Sequence, residues 1–334
     1  MYDNFSSLNT GIVGGGLMGY WHAWYVRRLG ARLKAVVDTD LRVAESLAKR
    51  LSIPDVFTDT ESMFRSGYFD IVHVCTPLSS HNQLVLDAIN AGAHVIVEKP
   101  LTETADETRA ILATADKEKV LVCPVHQFCF QQGVLDAMHA IEELGDVISI
   151  KVNICSAGGE GYSGPTLDKI IADIIPHPLS VLQTLWPEQQ LNASDWHVLH
   201  PDDGELTVNG MSGKAGVTMY ISMHSRPTRC EMDIMCSKGH VHLDFFHGYS
   251  LTERGEVTRL QKLAQPFKYS ARTFFTSALN LSGRILHREP AYPGLHQLLR
   301  QFYGAVLNKK QGPVPINTIQ NVADVRDQLM KKFI

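Results

Sequence analysis

The chain has 334 residues, a length that suits two domains better than a single hydrophobic core. Its hydrophobic fraction of 44% and charged fraction of 20% are ordinary for a globular protein. The formal net charge of −4 argues against a nucleic-acid partner, because nucleic-acid-binding proteins normally carry a basic excess.

Cysteine usage and the N-terminus bear on where the protein resides. The six cysteines form no C-x-x-C pair and mostly lie in apolar runs, which indicates buried thiols in a reducing compartment rather than disulfides or a zinc site. The first nine residues lack the basic and apolar regions of a signal peptide, and no window near the start has the roughly 20 apolar residues that span a bilayer. We therefore expect a cytoplasmic protein with no metal and no membrane partner.

A glycine motif near the N-terminus predicts a dinucleotide site. Gly14, Gly16 and Gly19 form a G-x-G-x-x-G pattern between a short apolar strand and a helix expected over 17–29. In dinucleotide-binding folds the first glycine permits a tight turn, the second lets backbone approach the pyrophosphate, and the third lets the helix pack closely on the strand. The helix N-terminus then offers free N–H groups to the phosphates. The alternative is a purely structural glycine turn.

Asp38 indicates which dinucleotide binds. It ends a second strand expected over 32–37 and lies near the position of the acid that binds the adenosine ribose. A carboxylate there accepts hydrogen bonds from the ribose hydroxyls and repels a 2′-phosphate. We therefore expect NAD rather than NADP, with Arg42 as a neighbouring cation that could offset part of the repulsion or simply face solvent.

The first third of the chain alternates strands and helices, which predicts a doubly wound parallel sheet, a Rossmann domain over residues 1–125. From Val147 onward the strands are longer and alternate apolar with polar residues, which predicts an open, mainly antiparallel sheet in an α+β domain over residues 126–334. We expect helices in this domain at 167–185, 267–287, 295–308 and 318–332. The last of them could return to the first domain.

Two strand ends of the first domain carry candidate ligand-binding residues, because ligands of such sheets bind beyond the carboxyl ends of the strands. Thr76 and Pro77 follow one strand, with His81 shortly after, and could face the nicotinamide or form an ordinary capped turn. Glu98 and Lys99 end the next apolar strand. A charged pair there is costly unless it is paired or used, which favours the cofactor cleft over a surface ion pair.

Asp173 and His177 are four residues apart, so on a helix they share one face. Pro176 suits a first helical turn, which would begin the helix near Ile174 and place Asp173 close to its N-terminus. An imidazole beside a carboxylate can transfer protons. Taken alone, the two residues fit the simpler alternative of a helix cap and a packing histidine.

Two weaker patterns leave alternatives open. His240, His242 and Asp244 alternate along a predicted strand and could bind a metal, but polar side chains on a sheet surface explain them better. The basic segment 254–288 contains an amphipathic helix at 267–287 that could lie on a membrane. Packing within a dimer or onto the neighbouring sheet is favoured because the chain as a whole is negative.

Taken together, these segments resemble the Gfo/Idh/MocA oxidoreductases, the family of glucose–fructose oxidoreductase and inositol dehydrogenase. The order of the motifs and the spacings of EKP and D-x-x-x-H carry the resemblance, and no single motif does. The matching stretches are GIVGGGLMG at 11–19, AVVDTD at 35–40, VCTPLSSH at 74–81, AGAHVIVEKPL at 91–101, LGDV at 144–147, DIIPH at 173–177 and HQLLRQFYGAVLNKKQGPVPI at 296–316.

The resemblance implies a catalytic Lys–Asp–His set at Lys99, Asp173 and His177. His177 would act as acid/base on the substrate hydroxyl, Lys99 would bond the same oxygen and help to hold the nicotinamide, and Asp173 would orient the substrate or the imidazole. The family also implies a homodimer or homotetramer through the C-terminal sheet. The expected cofactor-binding residues are Gly14, Gly16, Leu17, Met18, Asp38, Thr76, Pro77, His81, Glu98 and Lys99.

The chain departs from the family after the strand expected at 120–123, where many members carry an Asn-x-Arg-Phe stretch. Gln127 stands near the usual arginine, which removes a fixed cation near the substrate or cofactor. The candidate substrate contacts are His126, Gln127 and Tyr162, the last in a glycine-rich loop before Asp173.

We expect an NAD-dependent oxidoreductase that acts on a secondary alcohol of a sugar, cyclitol or nucleotide-linked sugar. Some family members instead hold NAD tightly and use it transiently for epimerisation, dehydration or glycosidic cleavage. A non-catalytic nucleotide-sensing regulator is the third alternative, and the presence of Lys99, Asp173 and His177 argues against it.

Overall fold

The computed structural model describes residues 4–255 and 258–333, apart from the side chain of Leu260. Residues 1–3, which belong to the stretch examined for a signal peptide, lie outside these ranges, as do 256 and 257 of the basic segment. By its internal contacts the chain forms two compact units. The first runs to Val125 and takes in His296–Ala323, and the second comprises His126–Leu295 with the chain from Asp324 onward.

The first unit is built on a six-stranded sheet in which every pair of neighbours is parallel. Its strands are β1 (Asn9–Val13), β2 (Arg32–Val37), β3 (Asp55–Phe57), β4 (Ile71–Val74), β5 (His94–Val97) and β6 (Val122–Pro124). Their order is β3-β2-β1-β4-β5-β6, so the direction of winding reverses between β1 and β4. The predicted doubly wound sheet is confirmed.

The helices of this sheet connect its strands in turn. They are α1 (Leu17–Leu29), α2 (Leu41–Leu51), α3 (Thr60–Ser66), α4 (His81–Asn90) and α5 (Ala105–Glu118). The short α3, which periodicity did not reveal, is capped at its N-terminus by Asp59, whose carboxylate accepts the backbone N–H of Ser62. Helix α5 begins with a capping box in which Thr104 and Glu107 bond each other's backbone N–H groups.

The second unit contains a seven-stranded sheet of order β13-β12-β11-β7-β10-β9-β8. Its strands are β7 (Val147–Cys155), β8 (His197–Leu199), β9 (Glu205–Ser212), β10 (Ala215–Ser222), β11 (Arg229–Cys236), β12 (Gly239–Asp244) and β13 (Tyr249–Arg254). Among the described strands of this sheet only β7 and β10 pair in parallel, which confirms the mainly antiparallel sheet. The edge strands β8 and β13 were not anticipated.

The remaining helices are α6 (Gln132–Leu144), α7 (Pro165–Ile174), α8 (Pro176–Leu185), α9 (Arg259–Leu286), α10 (Leu295–Leu307) and α11 (Ile316–Phe333). The single helix expected at 167–185 is two helices, because Pro176 interrupts it. Residues 296–323 group with the first unit, whereas the sequence-based division placed residues 126–334 in the second domain and allowed only the last helix to return to the first. Tyr303 of α10 explains this, since its hydroxyl lies 2.9 Å from both Thr10 and His73. No helix in the described ranges is long and apolar enough to cross a membrane.

Candidate active site

The glycine turn has the shape that a pyrophosphate requires. Gly14 has a φ of +98°, and a Cβ on it would lie 2.5 Å from the carbonyl oxygen of Cys75. A Cβ on Gly19 would lie 1.9 Å from the carbonyl oxygen of Gly14, so α1 packs on β1 only with glycine there. Gly16 differs, because a Cβ on it would have no described atom within 4 Å. The space in front of Gly16 and the N-terminus of α1 is therefore open to a ligand.

The carboxylate of Asp38 is fixed at the end of β2. It accepts the backbone N–H of Gly15 at 2.8 Å and that of Asp40 at 2.9 Å. These two bonds hold Asp38 beside the glycine turn, half-buried, with lone pairs left for further donors. Leu17, 67% exposed, and Met18 begin α1 on the same turn.

The loops after β4 and β5 lie at the carboxyl edge of the sheet, next to the reversal of strand order. Ser80 donates its hydroxyl to Thr76 Oγ1 at 2.7 Å and to the carbonyl oxygen of Pro77 at 2.8 Å. The ring of His81 is buried, with Nε2 2.8 Å from the carbonyl oxygen of Thr76 and Nδ1 2.9 Å from that of Pro100. His81 thus ties the two loops together, and its contact with a cofactor stays a prediction.

Glu98 directly follows β5 and begins a hydrogen-bonded chain through the interior of the first unit. Its Oε1 lies 3.1 Å from Nε2 of His22, and Nδ1 of His22 lies 2.7 Å from Nδ1 of His73. Nε2 of His73 lies 2.9 Å from the hydroxyl of Tyr303, which in turn lies 2.9 Å from Thr10 Oγ1. Thr10, His22 and His73 are fully buried.

Two groups of this hydrogen-bonded chain have shifted pKa values. Burial disfavours the charge on Glu98, but the hydrogen bond and the charge of His22 outweigh it and lower the pKa of the carboxyl. Burial, with His22 beside it, holds the pKa of His73 well below its usual range, so its ring is neutral. A neutral imidazole donates from one nitrogen and accepts at the other, so His73 donates to one of its two neighbours, Tyr303 and His22, and accepts from the other. The sequence signal for this chain was two histidines on otherwise apolar faces.

In the second unit the break between α7 and α8 positions Asp173 and His177. Pro176 has no N–H to donate to the carbonyl oxygen of Ala172, and buried Arg326 of α11 donates its Nε–H there instead, at 3.2 Å. The backbone at Ile175 stays helical, with φ −50° and ψ −38°. Asp173 therefore lies in the last turn of α7, and its expected place near a helix N-terminus is wrong.

The ring of His177 is held by stacking. It lies on Phe128 with ring centroids 4.3 Å apart and planes 17° apart, and Phe128 stacks on Phe245 at 5.0 Å. Phe128 belongs to a 3-10 turn over Gln127–Phe130. In the sequence this turn was notable because Gln127 stands near the usual arginine of the family. In the structure its Phe128 orients the ring of His177.

The other predicted site residues of the second unit differ in exposure. Gln127 and His126 are buried next to Phe128, whereas Tyr162 is 59% exposed in its loop. The buried Oε1 of Gln127 has no hydrogen-bond partner among the described residues. Asp173 is half-buried. Lys99 belongs to the first unit, and its meeting with His177 stays a prediction.

The histidines of β12 form a different arrangement from the one considered for a metal. His240 Nε2 and His242 Nδ1 both lie 2.9 Å from Oδ1 of Asp233 on β11, whereas Asp244 bonds His247. The hydrogen bond to Asp233 raises the pKa of His242. Asp233 had no sequence signal, because it enters the cluster through strand pairing.

Two other features of the second unit contain none of the predicted site residues. Ligand atoms of Asp168, His200 and Asp203 lie within 4.8 Å of one another. Asp168 accepts the N–H of Gly204 at 2.8 Å and lies 3.2 Å from His200 Nε2, so it anchors this loop. A groove of about 850 Å³ lies beside α6, β7 and the end of α8.

The described chain consists of a unit with a doubly wound parallel sheet and a unit with an open, mainly antiparallel sheet. Residues 8–126 match the family described as "Oxidoreductase family, NAD-binding Rossmann fold" (GFO_IDH_MocA). Over this range the chain is similar to the Gfo/Idh/MocA family, and the predicted NAD-binding Rossmann fold is confirmed.

Comparisons with individual proteins agree with this family. Inositol 2-dehydrogenase 4 of Saccharopolyspora erythraea is 42% identical over 217 residues, 64% of this chain and 63% of that protein. The structure of UDP-N-acetylglucosamine 3-dehydrogenase GnnA from Acidithiobacillus ferrooxidans superposes with a TM-score of 0.75 at 16% identity, covering 98% of this chain and 97% of that one. An oxidoreductase from Agrobacterium radiobacter, in complex with NAD+, L-tartaric acid and magnesium, has a TM-score of 0.72 at 13% identity and covers 97% and 96%. The two structures show a shared fold.

The alignments to curated relatives cover only part of those proteins. Inositol 2-dehydrogenase 4 is matched over 63% of its length, and the inositol 2-dehydrogenase of Rubrobacter xylanophilus over 33%.

Proposed function

We propose that the protein is an NAD-dependent oxidoreductase that transfers a hydride between nicotinamide and a secondary alcohol of a sugar, cyclitol or nucleotide-linked sugar. The observation that carries the proposal is the edge of the first sheet. There an open glycine turn at Gly16 lies beside an Asp38 carboxylate that two backbone N–H groups hold in place.

The residues of this edge fit NAD part by part. The N–H groups at the start of α1 would bind the pyrophosphate, and no acidic side chain in that first turn opposes it. Asp38 would accept the ribose hydroxyls, and its negative charge would repel the 2′-phosphate of NADP. The loop at Thr76 and Pro77, with Lys99 after the next strand, would receive the nicotinamide half. NAD, when bound, supplies the carbon that accepts or returns the hydride.

His177 would take the proton of the substrate hydroxyl while the carbon gives up its hydride. Stacking on Phe128 keeps the imidazole in one plane, which a positioned base needs. Asp173, one helical turn before it, would orient the imidazole or the substrate. Lys99 would bond the reacting oxygen, and its positive charge would stabilise the negative charge that develops there.

Two observations support a polyhydroxylated substrate: a buried polar atom of Gln127 and the names of similar proteins. The unpartnered Oε1 of Gln127 can accept a hydrogen bond from a hydroxyl group, as in a sugar or cyclitol. A relative named for inositol and a structural neighbour named for UDP-N-acetylglucosamine support a polyhydroxylated substrate.

Gly16→Val tests the cofactor site without disturbing the fold. Gly16 has a φ of −69°, which any residue adopts, and its Cβ would meet open space, so the melting temperature should change little. The new side chain would occupy the pyrophosphate position, and NADH binding, followed by fluorescence, should weaken at least a hundredfold.

The same titration includes NADPH and the control Gly304→Ala in helix α10 of the same unit, where an added Cβ would also have no described atom within 4 Å. Unchanged NADH affinity in Gly16→Val would overturn the proposed cofactor site. NADPH binding tenfold tighter than NADH binding would overturn the proposed preference.

A further inference from the structure

The apolar side of strand β7 is left uncovered at its first residues. Ile148, Ile150 and Val152 alternate along the strand, so their side chains share one face. Ile150 and Val152 are buried, at 1% and 2% exposure, whereas Ile148 is 58% exposed. The cover of this face therefore stops short of Ile148. A groove of about 850 Å³ opens there, lined by the end of α6, the end of α8 and the turn that joins β9 to β10.

Hydrogen bonds of the chain itself fix the walls of this groove. Gln189 donates its backbone N–H to the carbonyl oxygen of Trp186 at 3.1 Å. A Cβ on Gly213 would lie 2.6 Å from the side chain of Gln189, so the turn between β9 and β10 fits against that side chain only with glycine. The backbone of Asp146 donates to the hydroxyl of Ser237 at 3.1 Å and accepts its N–H at 2.8 Å. The groove is thus formed without a ligand, as small-molecule sites usually are.

The rim of the groove is acidic. Three carboxylates line it, against the single cation Lys214. They belong to Glu142, Asp146 and Glu188, which together are called the acidic rim. No described residue forms an ion pair with any of the three, whereas Glu143 of the same helix α6 pairs with Arg254. The acidic rim therefore leaves a net negative charge that a positively charged ligand would complement.

Trp186 is a second feature that favours a cation. Its half-buried side chain lines the groove. The face of an indole attracts ammonium groups more strongly than the face of any other aromatic side chain. Ile141 and Ile148 also line the groove and offer apolar surface to the rest of a ligand. The volume lies within the range of about 300–1,000 Å³ that small-molecule sites occupy.

We propose that this groove is a second ligand site, which binds a small organic ammonium ion with an apolar body. The ammonium group lies between the acidic rim and the face of Trp186, and the apolar body lies against Ile141 and Ile148. The site is separate from the candidate active site. Helix α8 begins next to His177 and reaches the groove only with its last residue, Leu185, which is a rise of about 15 Å for a helix of this length.

Isothermal titration calorimetry of the full chain tests the proposal with three probes of similar shape: benzylammonium, benzyl alcohol and benzoate. Benzylammonium should bind with a dissociation constant of about 1 mM, which is ordinary for a ligand of its size. It should bind at least about tenfold more tightly than neutral benzyl alcohol, and benzoate should bind more weakly than either. Saturating NADH should change the affinity for benzylammonium less than about twofold, because the proposed NAD site belongs to the first unit.

Substitutions at the rim locate the binding. Glu142→Gln with Glu188→Gln keeps the side-chain shapes and removes two negative charges, so benzylammonium should bind about tenfold more weakly. Lys214→Gln removes the cation and should strengthen binding about two- to threefold. The matched control is Asp136→Asn with Glu143→Gln, which removes the same charge from residues of α6 that do not line the groove and should leave the affinity unchanged.

Three results would overturn the proposal: no binding of benzylammonium, equal affinity for benzylammonium and benzyl alcohol, or binding that Glu142→Gln with Glu188→Gln leaves unchanged. A tri-arginine peptide covers the competing explanation. Binding of this peptide more tightly than benzylammonium, lost in the same double variant, would assign the groove to a basic peptide instead. Each substituted side chain is exposed, and thermal melts confirm that the fold is unchanged.

Discussion

His73 shows how one buried side chain can couple stability to pH. The unfolded chain binds a proton on this histidine more readily than the folded protein, because burial lowers its pKa in the native state. Its contribution to the free energy of unfolding is therefore fully present above the unfolded pKa of about 6.5 and decreases as the pH falls below it. Tyr303 and His22 are the ionisable groups that bond its ring.

His73→Asn tests this coupling, because the amide keeps a donor near His22 and removes the titrating ring. At about pH 7.5 the variant should be less stable by about 1–3 kcal/mol, since Tyr303 loses a buried hydrogen-bond partner. The deficit should shrink as the pH falls below about 6.5, by at most about 1.4 kcal/mol per pH unit. Urea unfolding at about pH 7.5 and pH 5.5 measures it, with the exposed His139→Asn as control. A deficit that is the same at both pH values would contradict the assignment.

Among the helices and strands, the interrupted helix α7–α8 depends most on a distant partner. Pro176 leaves the carbonyl oxygen of Ala172 without its helical donor, and Arg326 supplies one from the end of the chain. A buried carbonyl without a partner costs free energy, so the guanidinium stabilises the junction of α7 and α8, which carries Asp173 and His177.

A double-mutant cycle tests this pairing. Arg326→Met should lower the free energy of unfolding by about 1–3 kcal/mol, since it leaves the Ala172 oxygen unsatisfied. With Pro176→Ala the chain regains an N–H at position 176, so the same Arg326→Met change should cost about 1 kcal/mol less in that background. Equal costs in both backgrounds, measured by denaturant unfolding, would show that Arg326 acts elsewhere.

Sequence periodicity predicted the elements that carry their own signals. Helix α1 and strands β2 and β5 agree with the expected residues, because each is bounded by glycine, aspartate or a charged pair. The edge strand β13 and helix α6 were missed. Strand pairing of Asp233 with two histidines, and stacking of Phe128 on His177, join residues far apart in the chain, and no local pattern encodes such contacts.

At the scale of the whole molecule, the residues proposed to bind NAD and those proposed to act on the substrate belong to different units. The first holds the glycine turn, Asp38 and Lys99, and the second holds Asp173, His177 and the turn at Gln127. Residues 296–323 group with the first unit because the buried hydroxyl of Tyr303 hydrogen-bonds to Thr10 of β1 and His73 of β4. A linear division of the chain misses it because the hydroxyl's partners precede it by more than 200 residues.

Turnover by His177→Ala tests the central claim most directly. NAD reduction by the wild type is first measured with myo-inositol, free sugars and UDP-N-acetylglucosamine, and the substrate with the highest turnover is then used for both proteins. Removing a positioned acid/base should lower turnover by about 10²–10⁴-fold. NADH affinity, measured by fluorescence, should stay within about twofold, and the exposed His139→Ala should behave as wild type. Wild-type protein that binds NADH but reduces no NAD with any of these substrates, or turnover in His177→Ala within tenfold of wild type, would contradict the account.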